Sequence, residues 1–79
     1  MFNIKDIETI KGYSKLNDKS KILFKTFLIN FMDAQGTNSR ETIVPISVKF
    51  VKADSYLRFD YKRYGRKGWL HVAGARTWY

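Results

Sequence analysis

The sequence contains no cysteine, a single histidine and a single proline. Without cysteine no disulfide can form, and one histidine cannot supply a site of several cysteines and histidines, so we expect no metal and no cofactor. No apolar run approaches the roughly 20 residues that a membrane-spanning helix needs. The first residues mix charges and lack the pattern of a signal peptide, so we expect no membrane association and a cytoplasmic location.

Acidic residues are also scarce. The sequence has seven aspartates and glutamates and fifteen lysines and arginines, which gives a net charge of +8. Residues 1–39 hold six basic and four acidic residues, a net of +2, whereas residues 40–79 hold nine and three, a net of +6. A basic balance of this size favours a nucleic acid or another acidic partner. An apolar fraction of 44% over 79 residues predicts one small globular domain, helical over residues 1–36 and an antiparallel sheet over residues 41–79.

A short amphipathic helix is predicted near the start of the chain. Isoleucines recur at every third position from residue 4 to residue 10, Asn3 can cap the start, and Gly12 follows the end. This pattern predicts a helix over residues 4–11. A strand over the same isoleucine-rich residues is the alternative.

A longer helix is predicted from Asn17 or Asp18, either of which can cap it, to about Gln35. Its apolar residues share one broad face that should enter the core, namely Leu23, Phe24, Phe27, Leu28, Phe31 and Ala34. Ile22 and Ile29 point the opposite way. We favour the interpretation that the N-terminal helix covers them, and contact with a partner or a second copy is the alternative.

Residues 44–51 alternate between apolar and other side chains, which is typical of a half-buried strand. Pro45 cannot donate to a ladder, so this strand should either lie at a sheet edge or pair only after Pro45. A two-residue turn at Asp54 and Ser55 would pair Phe50 with Phe59 and match the apolar faces of the two strands. A turn longer by one residue would set apolar against charged side chains.

A second hairpin is predicted around a four-residue loop, residues 65–68, which would pair Tyr64 with Trp69. Residues 74–76 are a small-residue interruption within the last strand, either a bulge or a place where the helix lies close to the sheet. The predicted buried face of the sheet is Ile46, Val48, Phe50, Leu57, Phe59, Tyr61, Leu70 and Val72. The predicted fold is therefore α+β, with one or two N-terminal helices packed on one face of a three-stranded antiparallel meander (α-α-β-β-β).

The other face of the sheet would gather aromatic and basic side chains. Aromatic rings can stack on unpaired bases while lysine and arginine contact phosphates, and a basic ribbon can alternatively enter a groove of duplex DNA. We predict nucleic-acid contacts, with DNA or RNA, by Lys49, Arg58, Lys62, Tyr64, Arg66, Lys67, Trp69 and His71. Asp60 is the acidic member of the same face.

Structural interpretations of this face are also open. Lys49 would lie opposite Asp60, so the two could form an ordinary cross-strand ion pair. Tyr64 and Trp69 could be an aromatic pair that only closes the hairpin. Trp78 is expected to dock on the body of the protein.

The alternative function is a protein–protein interaction module, an inhibitor or adaptor of the kind carried by phages or mobile elements. It would dock the basic aromatic face on an acidic partner surface. Further contacts with a partner, including a second copy in a homodimer, would involve Ile22, Ile29, Trp78 and Tyr79.

Catalysis is the minor hypothesis. His71 is the only histidine, and the sequence shows no nucleophile motif, paired carboxylates or glycine-rich phosphate loop. A metal-independent ribonuclease could still use arginine, lysine, histidine and tyrosine, and RelE-type ribonuclease toxins have a basic sheet that is similar in this general respect. In outline the predicted fold resembles integrase arm-binding and double-stranded-RNA-binding domains, although the element order differs from the former. Our leading prediction is a small non-enzymatic nucleic-acid-binding module.

Overall fold

A computed structural model describes residues 3–35, 42–53 and 55–79 of the chain. These residues form two 3-10 helices, one α-helix and a four-stranded antiparallel meander in which each strand pairs with the next. The 3-10 helices are Ile4–Thr9 and Tyr13–Lys15, and the other elements are α1 (Asp18–Ala34), β1 (Ile43–Val51), β2 (Tyr56–Arg63), β3 (Arg66–Gly74) and β4 (Thr77–Trp78). The α+β class and the order of helical part and sheet are confirmed.

The N-terminal segment is a 3-10 helix that ends at Thr9, so the helix predicted over residues 4–11 is shorter and tighter than expected. A spacing of three between isoleucines fits the 3-10 geometry, in which side chains three apart eclipse one another. Asn3 caps the helix as predicted, because its side chain accepts a hydrogen bond of 2.9 Å from the Lys5 backbone N–H. Ile7 and Ile10 enter the core.

α1 begins and ends close to the predicted positions. The side chain of Asn17 accepts a hydrogen bond of 2.7 Å from the Ser20 N–H and so caps the helix. Most of the predicted apolar face is buried, but Ala34 is exposed because it is the last residue of the helix, and Met32 is buried in addition. Within the described ranges, no helix is long and apolar enough to cross a membrane.

The expectation that the N-terminal segment covers Ile22 and Ile29 is wrong, since both are exposed. The segment instead runs beside the outer edge of β1. Lys11 forms a parallel bridge with Ser47, and its carbonyl accepts a hydrogen bond of 2.9 Å from the Val48 N–H. The edge of β1 thereby gains a partner at this point, and the two isoleucines are left uncovered.

The first hairpin has a longer connection than predicted. Phe50 pairs with Leu57 instead of Phe59, and the connection spans residues 52–55, of which Asp54 lies outside the described residues. Lys49 consequently faces Arg58 and not an acid. The register differs from the prediction by an even number of residues, so the face assigned to each β2 side chain is unchanged.

A bulge in β1 changes which face its first residues use. The pairing shifts between Pro45 and Ser47, so that Ile43 is only 1% exposed whereas Val44 is 54% exposed. Bulges are among the few places in a sheet that accept proline, which has no N–H for the ladder. Ile46, predicted to be buried, lies in the bulge and is only half-buried.

Phe50 is the other exception on the predicted buried face of β1. Its ring is largely exposed, because β1 is an edge strand and ends one residue later. The remaining members of that face are buried or partly buried in the core.

The second hairpin turns at Tyr64 and Gly65 alone, so the predicted four-residue loop is wrong. Both residues have left-handed backbones, with φ of 52° and 76°, as a two-residue type I′ turn requires. Trp69 therefore pairs with Asp60, and the predicted Tyr64–Trp69 pair does not form. The difference is again even, which leaves the aromatic residues of β3 on the predicted face.

The chain ends in a fourth strand that the sequence did not predict. The interruption predicted at residues 74–76 is an irregular pairing between Val72 and Gly74 at the end of β3, followed by a turn at residues 75 and 76, after which β4 pairs back onto β3. Trp78 packs edge-on against Phe27 and Phe31, with ring centroids 5.4 and 5.8 Å away. Its predicted docking on the body of the protein is confirmed. The core thus joins an aromatic face of α1 to one face of the sheet, and the opposite face stays open.

Candidate nucleic-acid interface

Four rings lie side by side on the outer face of the sheet, the face opposite α1. His71 is in the middle, with centroids 4.4 Å from Tyr56, 4.7 Å from Trp69 and 4.5 Å from Tyr79. The rings of His71 and Tyr79 are nearly parallel, with an angle of 14° between their planes. We call these four residues the aromatic row.

Strand geometry explains how the row forms. Trp69 and His71 are two residues apart in β3 and therefore share a face. Tyr79 is held opposite His71 by two backbone hydrogen bonds of 2.8 and 3.0 Å, and the His71 Nδ1 lies 3.2 Å from the Tyr79 carbonyl oxygen. Tyr56 joins from β2, two residues before the cross-strand partner of His71, which is Arg58.

Arg58 holds one end of the row in place. Its guanidinium carbon lies 4.5 Å from the centre of the Trp69 ring, within the range of a cation–π contact. Its Nε lies 3.2 Å from Asp60 Oδ1, and Asp60 Oδ2 accepts a hydrogen bond of 3.0 Å from the Ser47 hydroxyl. The predicted pair of Lys49 with Asp60 is therefore wrong, because the register brings Asp60 to Ser47. The charge of Arg58 is already matched by a neighbouring carboxylate, so its main contribution is to orient Trp69.

A shallow depression of about 350 Å³ opens beside Trp69 on the same face. The indole, the Arg58–Asp60 pair, Lys67 and Gly68 line it. Its volume falls at the lower end of the roughly 300–1,000 Å³ that is usual for small-molecule sites. The depression thus offers an aromatic wall together with donors and an acceptor.

The tip of the β2–β3 hairpin concentrates positive charge. Lys62 pairs directly with Lys67 on the outer face, and Arg63 pairs directly with Arg66 on the inner face. Like charges in directly opposed positions destabilise a sheet. Four cations around a two-residue turn therefore form a site that a bound anion would stabilise.

The structure separates the predicted site residues into three groups. Arg58, Trp69, His71 and Lys67 lie around the aromatic row and the depression. Lys62 and Arg66 lie at the hairpin tip, Lys62 on the outer face and Arg66 on the inner face. Lys49, exposed on β1 beside Arg58, and Tyr64, exposed in the turn and not paired with Trp69, form the third group.

The residues predicted for partner contact are dispersed. Ile22 and Ile29 are on α1, Trp78 is on the core side of the sheet, and Tyr79 belongs to the aromatic row. Sequence reasoning missed Tyr56, although its position two residues before Arg58 in the same strand was the available signal.

No protein-family model, curated protein or solved structure matches the chain. In the part of the chain that the structure describes, no group of three or more histidine, aspartate or glutamate side chains is placed to hold a metal ion. The outer face and the hairpin tip are therefore the features of the molecule that bear on its function.

Proposed function

We propose that the protein is a non-enzymatic nucleic-acid-binding module that acts in the cytoplasm and uses the outer face of its sheet. The observation that supports this proposal is the aromatic row, four neighbouring rings on a basic sheet face. Trp69 is 47% exposed and Tyr79 is 67% exposed. The core of this small protein is rich in aromatic side chains, so the exposure of these two rings calls for an explanation. Exposed rings of this kind stack on unpaired bases, at roughly 1–3 kcal/mol per base.

The members of the row have different roles in this proposal. His71 is surrounded by three rings and positions them. Tyr79 has its neighbour His71 on one side and is otherwise open, so it offers a ring face to a base. Trp69 has Arg58 over its ring and contributes the wall of the depression, where a second base would fit. Single-stranded ligands are therefore favoured over duplexes.

The charges around the row fit the backbone of the same ligand. Lys62, Lys67 and Arg66 at the tip, together with Lys49 on β1, are exposed side chains that can contact phosphates. Arg58 is engaged by Asp60 and Trp69 and is assigned to positioning. Bases and phosphates would thus meet different parts of one continuous surface.

The first experiment titrates the protein into fluorescently labelled single-stranded and duplex oligonucleotides at about 50 and 200 mM salt, with anisotropy as the readout. We expect micromolar binding to single strands, weaker binding to duplexes, and a steep loss at the higher salt. Trp69→Ala should lower affinity about tenfold, which corresponds to the loss of one stacked base. Ile22→Ala, an exposed position on α1, is the matched control and should bind normally. Absence of binding to every oligonucleotide at the lower salt would overturn the proposal.

The second candidate function is docking on an acidic protein surface. It is favoured by the positive charge of the protein together with two exposed apolar side chains on α1, Ile22 and Ile29. Polyglutamate is a suitable probe because it carries negative charge without bases. If polyglutamate competes as well as an oligonucleotide of equal charge, and Trp69→Ala changes neither, charge alone governs binding and the protein partner is the better assignment. Sedimentation over a range of concentrations tests the homodimer.

A further inference from the structure

A second depression, of about 470 Å³, lies at the same hairpin tip but opens on the side of the sheet that faces α1. The alternation along β2 places Arg63 on the buried face of the strand, with Leu57 and Phe59, and Arg66 is its direct partner across the hairpin. The lining residues are Tyr61, Arg63, Tyr64, Arg66, Lys67 and Gly68. We call this depression the tip cleft. Its lining has three cations and no carboxylate.

Arg63 is fixed in the tip cleft with unused hydrogen-bonding capacity. One of its terminal nitrogens donates to the side-chain oxygen of Gln35 at the end of α1, and its guanidinium lies 6.0 Å from the ring centre of Tyr61. Its Nε is buried and has no hydrogen-bond partner among the described residues. A buried donor without a partner costs roughly 1–3 kcal/mol, and more when the group is charged. An anion in the cleft would instead accept from the other N–H groups of this guanidinium, and its charge would offset the repulsion between Arg63 and Arg66.

The tip cleft and the depression on the outer face are adjacent. Lys67 and Gly68 line both of them. Among the described residues, β4 begins to pair with β3 only at His71, so the stretch of β3 that contains Lys67 and Gly68 is an open edge. A polymer on the outer face can therefore cross this edge into the cleft.

We propose that the tip cleft binds a phosphate group through Arg63 and Arg66, and that this phosphate belongs to the nucleic-acid strand whose bases lie on the aromatic row. The inference rests on the proposed function for the source of the phosphate. The strand passes over the open edge of β3 at Gly68, with bases on one side of the sheet and a phosphate on the other. Arginine suits this task because its planar guanidinium can give two parallel hydrogen bonds to a phosphate. Arg63 and Arg66, which pair directly across the hairpin, then both contact one anion, and this relieves the repulsion between them.

The test compares two variants that each remove one positive charge. Arg66→Gln changes the tip cleft, and Lys25→Gln, at an exposed position of α1 outside the proposed surface, is the matched control. We expect Arg66→Gln to weaken binding of a single-stranded oligonucleotide about tenfold. Because one phosphate contact is lost, the slope of log K against log salt should fall by about 0.7. Lys25→Gln should change affinity by less than about twofold, because salt screens an exposed charge that does not contact the strand. Arg66 is preferred to Arg63 for the substitution because Arg63 also holds Gln35.

A second readout reports on Arg63 itself. The Nε–H signal of Arg63 in a ¹⁵N NMR spectrum should move when inorganic phosphate is added, and again when the oligonucleotide is added. Arg63→Lys, which keeps the charge and loses the planar group, should weaken oligonucleotide binding while circular dichroism verifies the fold.

The two proposals fail in different ways. If the oligonucleotide binds, the two charge-removing variants lose affinity equally, and the Arg63 signal stays in place, the tip cleft is overturned and the nucleic-acid function stands. If inorganic phosphate moves the Arg63 signal but no oligonucleotide binds, the cleft is a phosphate site. The claim that this phosphate belongs to a nucleic acid is then overturned, together with the proposed function. If neither ligand has an effect, both assignments are overturned.

Discussion

Gly12 and Gly65 show how the same backbone conformation can have different consequences at two residues. Both have left-handed φ angles, 89° at Gly12 and 76° at Gly65. A Cβ at Gly12 would lie 2.1 Å from the backbone oxygen of Val48, whereas a Cβ at Gly65 would have no heavy atom within 4 Å. Gly12 is therefore required both by its conformation and by the close approach of the N-terminal segment to β1.

Substituting alanine for Gly12 should destabilise the protein. The added methyl group must push the N-terminal segment away from β1, which strains or breaks the hydrogen bond from Val48 to Lys11. The lost hydrogen bond and the cost of a left-handed alanine add up. We therefore expect the free energy of unfolding to fall by about 2–4 kcal/mol. Urea denaturation measures the change.

Gly65→Ala is the matched control, because it changes the conformational preference alone and should cost only about 1–2 kcal/mol. Equal losses in the two variants would show that contact with β1 adds nothing at Gly12.

At the scale of single elements, the β2–β3 hairpin carries a conformational cost at its turn. A type I′ turn needs left-handed backbones at both central positions, which asparagine followed by glycine adopts readily and tyrosine does not. Tyr64 has a φ of 52°. A tyrosine at this position therefore lowers the local stability of the hairpin at the tip of the proposed interface.

Tyr64→Asn should therefore stabilise the protein. We expect the free energy of unfolding to rise by about 1 kcal/mol, since the penalty for a left-handed non-glycine residue is largely relieved. Thermal or urea unfolding provides the measurement. Tyr64→Ala removes the same ring but keeps the penalty, so it should give no gain. A gain of the same size in both variants would mean that the ring, and not the backbone, is the source of the cost.

The elements also show what the sequence could predict. Side-chain alternation correctly assigned the faces of Phe59 and Trp69, because faces depend only on whether a register shift is even or odd. Turn lengths were wrong in both hairpins, since several even-numbered connections keep the same faces and only turn geometry distinguishes them. The bulge after Pro45 was missed because proline predicts an irregularity but not its direction.

The candidate site was predictable to a similar degree. The position of Trp69 and His71 on the outer face followed from alternation in β3. The place of Tyr79 beside His71 did not, because it depends on a fourth strand of two residues that is too short to produce a pattern of its own. The link from Arg63 to Gln35 joins positions far apart in the chain and depends on tertiary packing.

At the scale of the whole molecule, the helical half supports a sheet that carries most of the charge. Residues 42–53 and 55–79 contain eight lysines and arginines but only one acid, Asp60, which already pairs with Arg58. Net charge of one sign destabilises the compact state through repulsion and attracts a polyanion. Stability and binding should therefore respond in opposite directions when the charge of the tip is changed.

Lys67→Glu tests this opposition, because it converts the like-charged pair with Lys62 into an oppositely charged one. A favourable cross-strand pair contributes about 0.2–1 kcal/mol, so we expect the free energy of unfolding to rise by about 0.5–1 kcal/mol. Lys67 also lines both depressions, so affinity for a single-stranded oligonucleotide should fall by about a hundredfold, as expected when a phosphate contact becomes a repulsion. Lys49→Glu faces Arg58 and should stabilise the protein similarly with a smaller loss of affinity. Higher stability with unchanged affinity in Lys67→Glu would mean that the charge of the tip is not there to bind a polyanion.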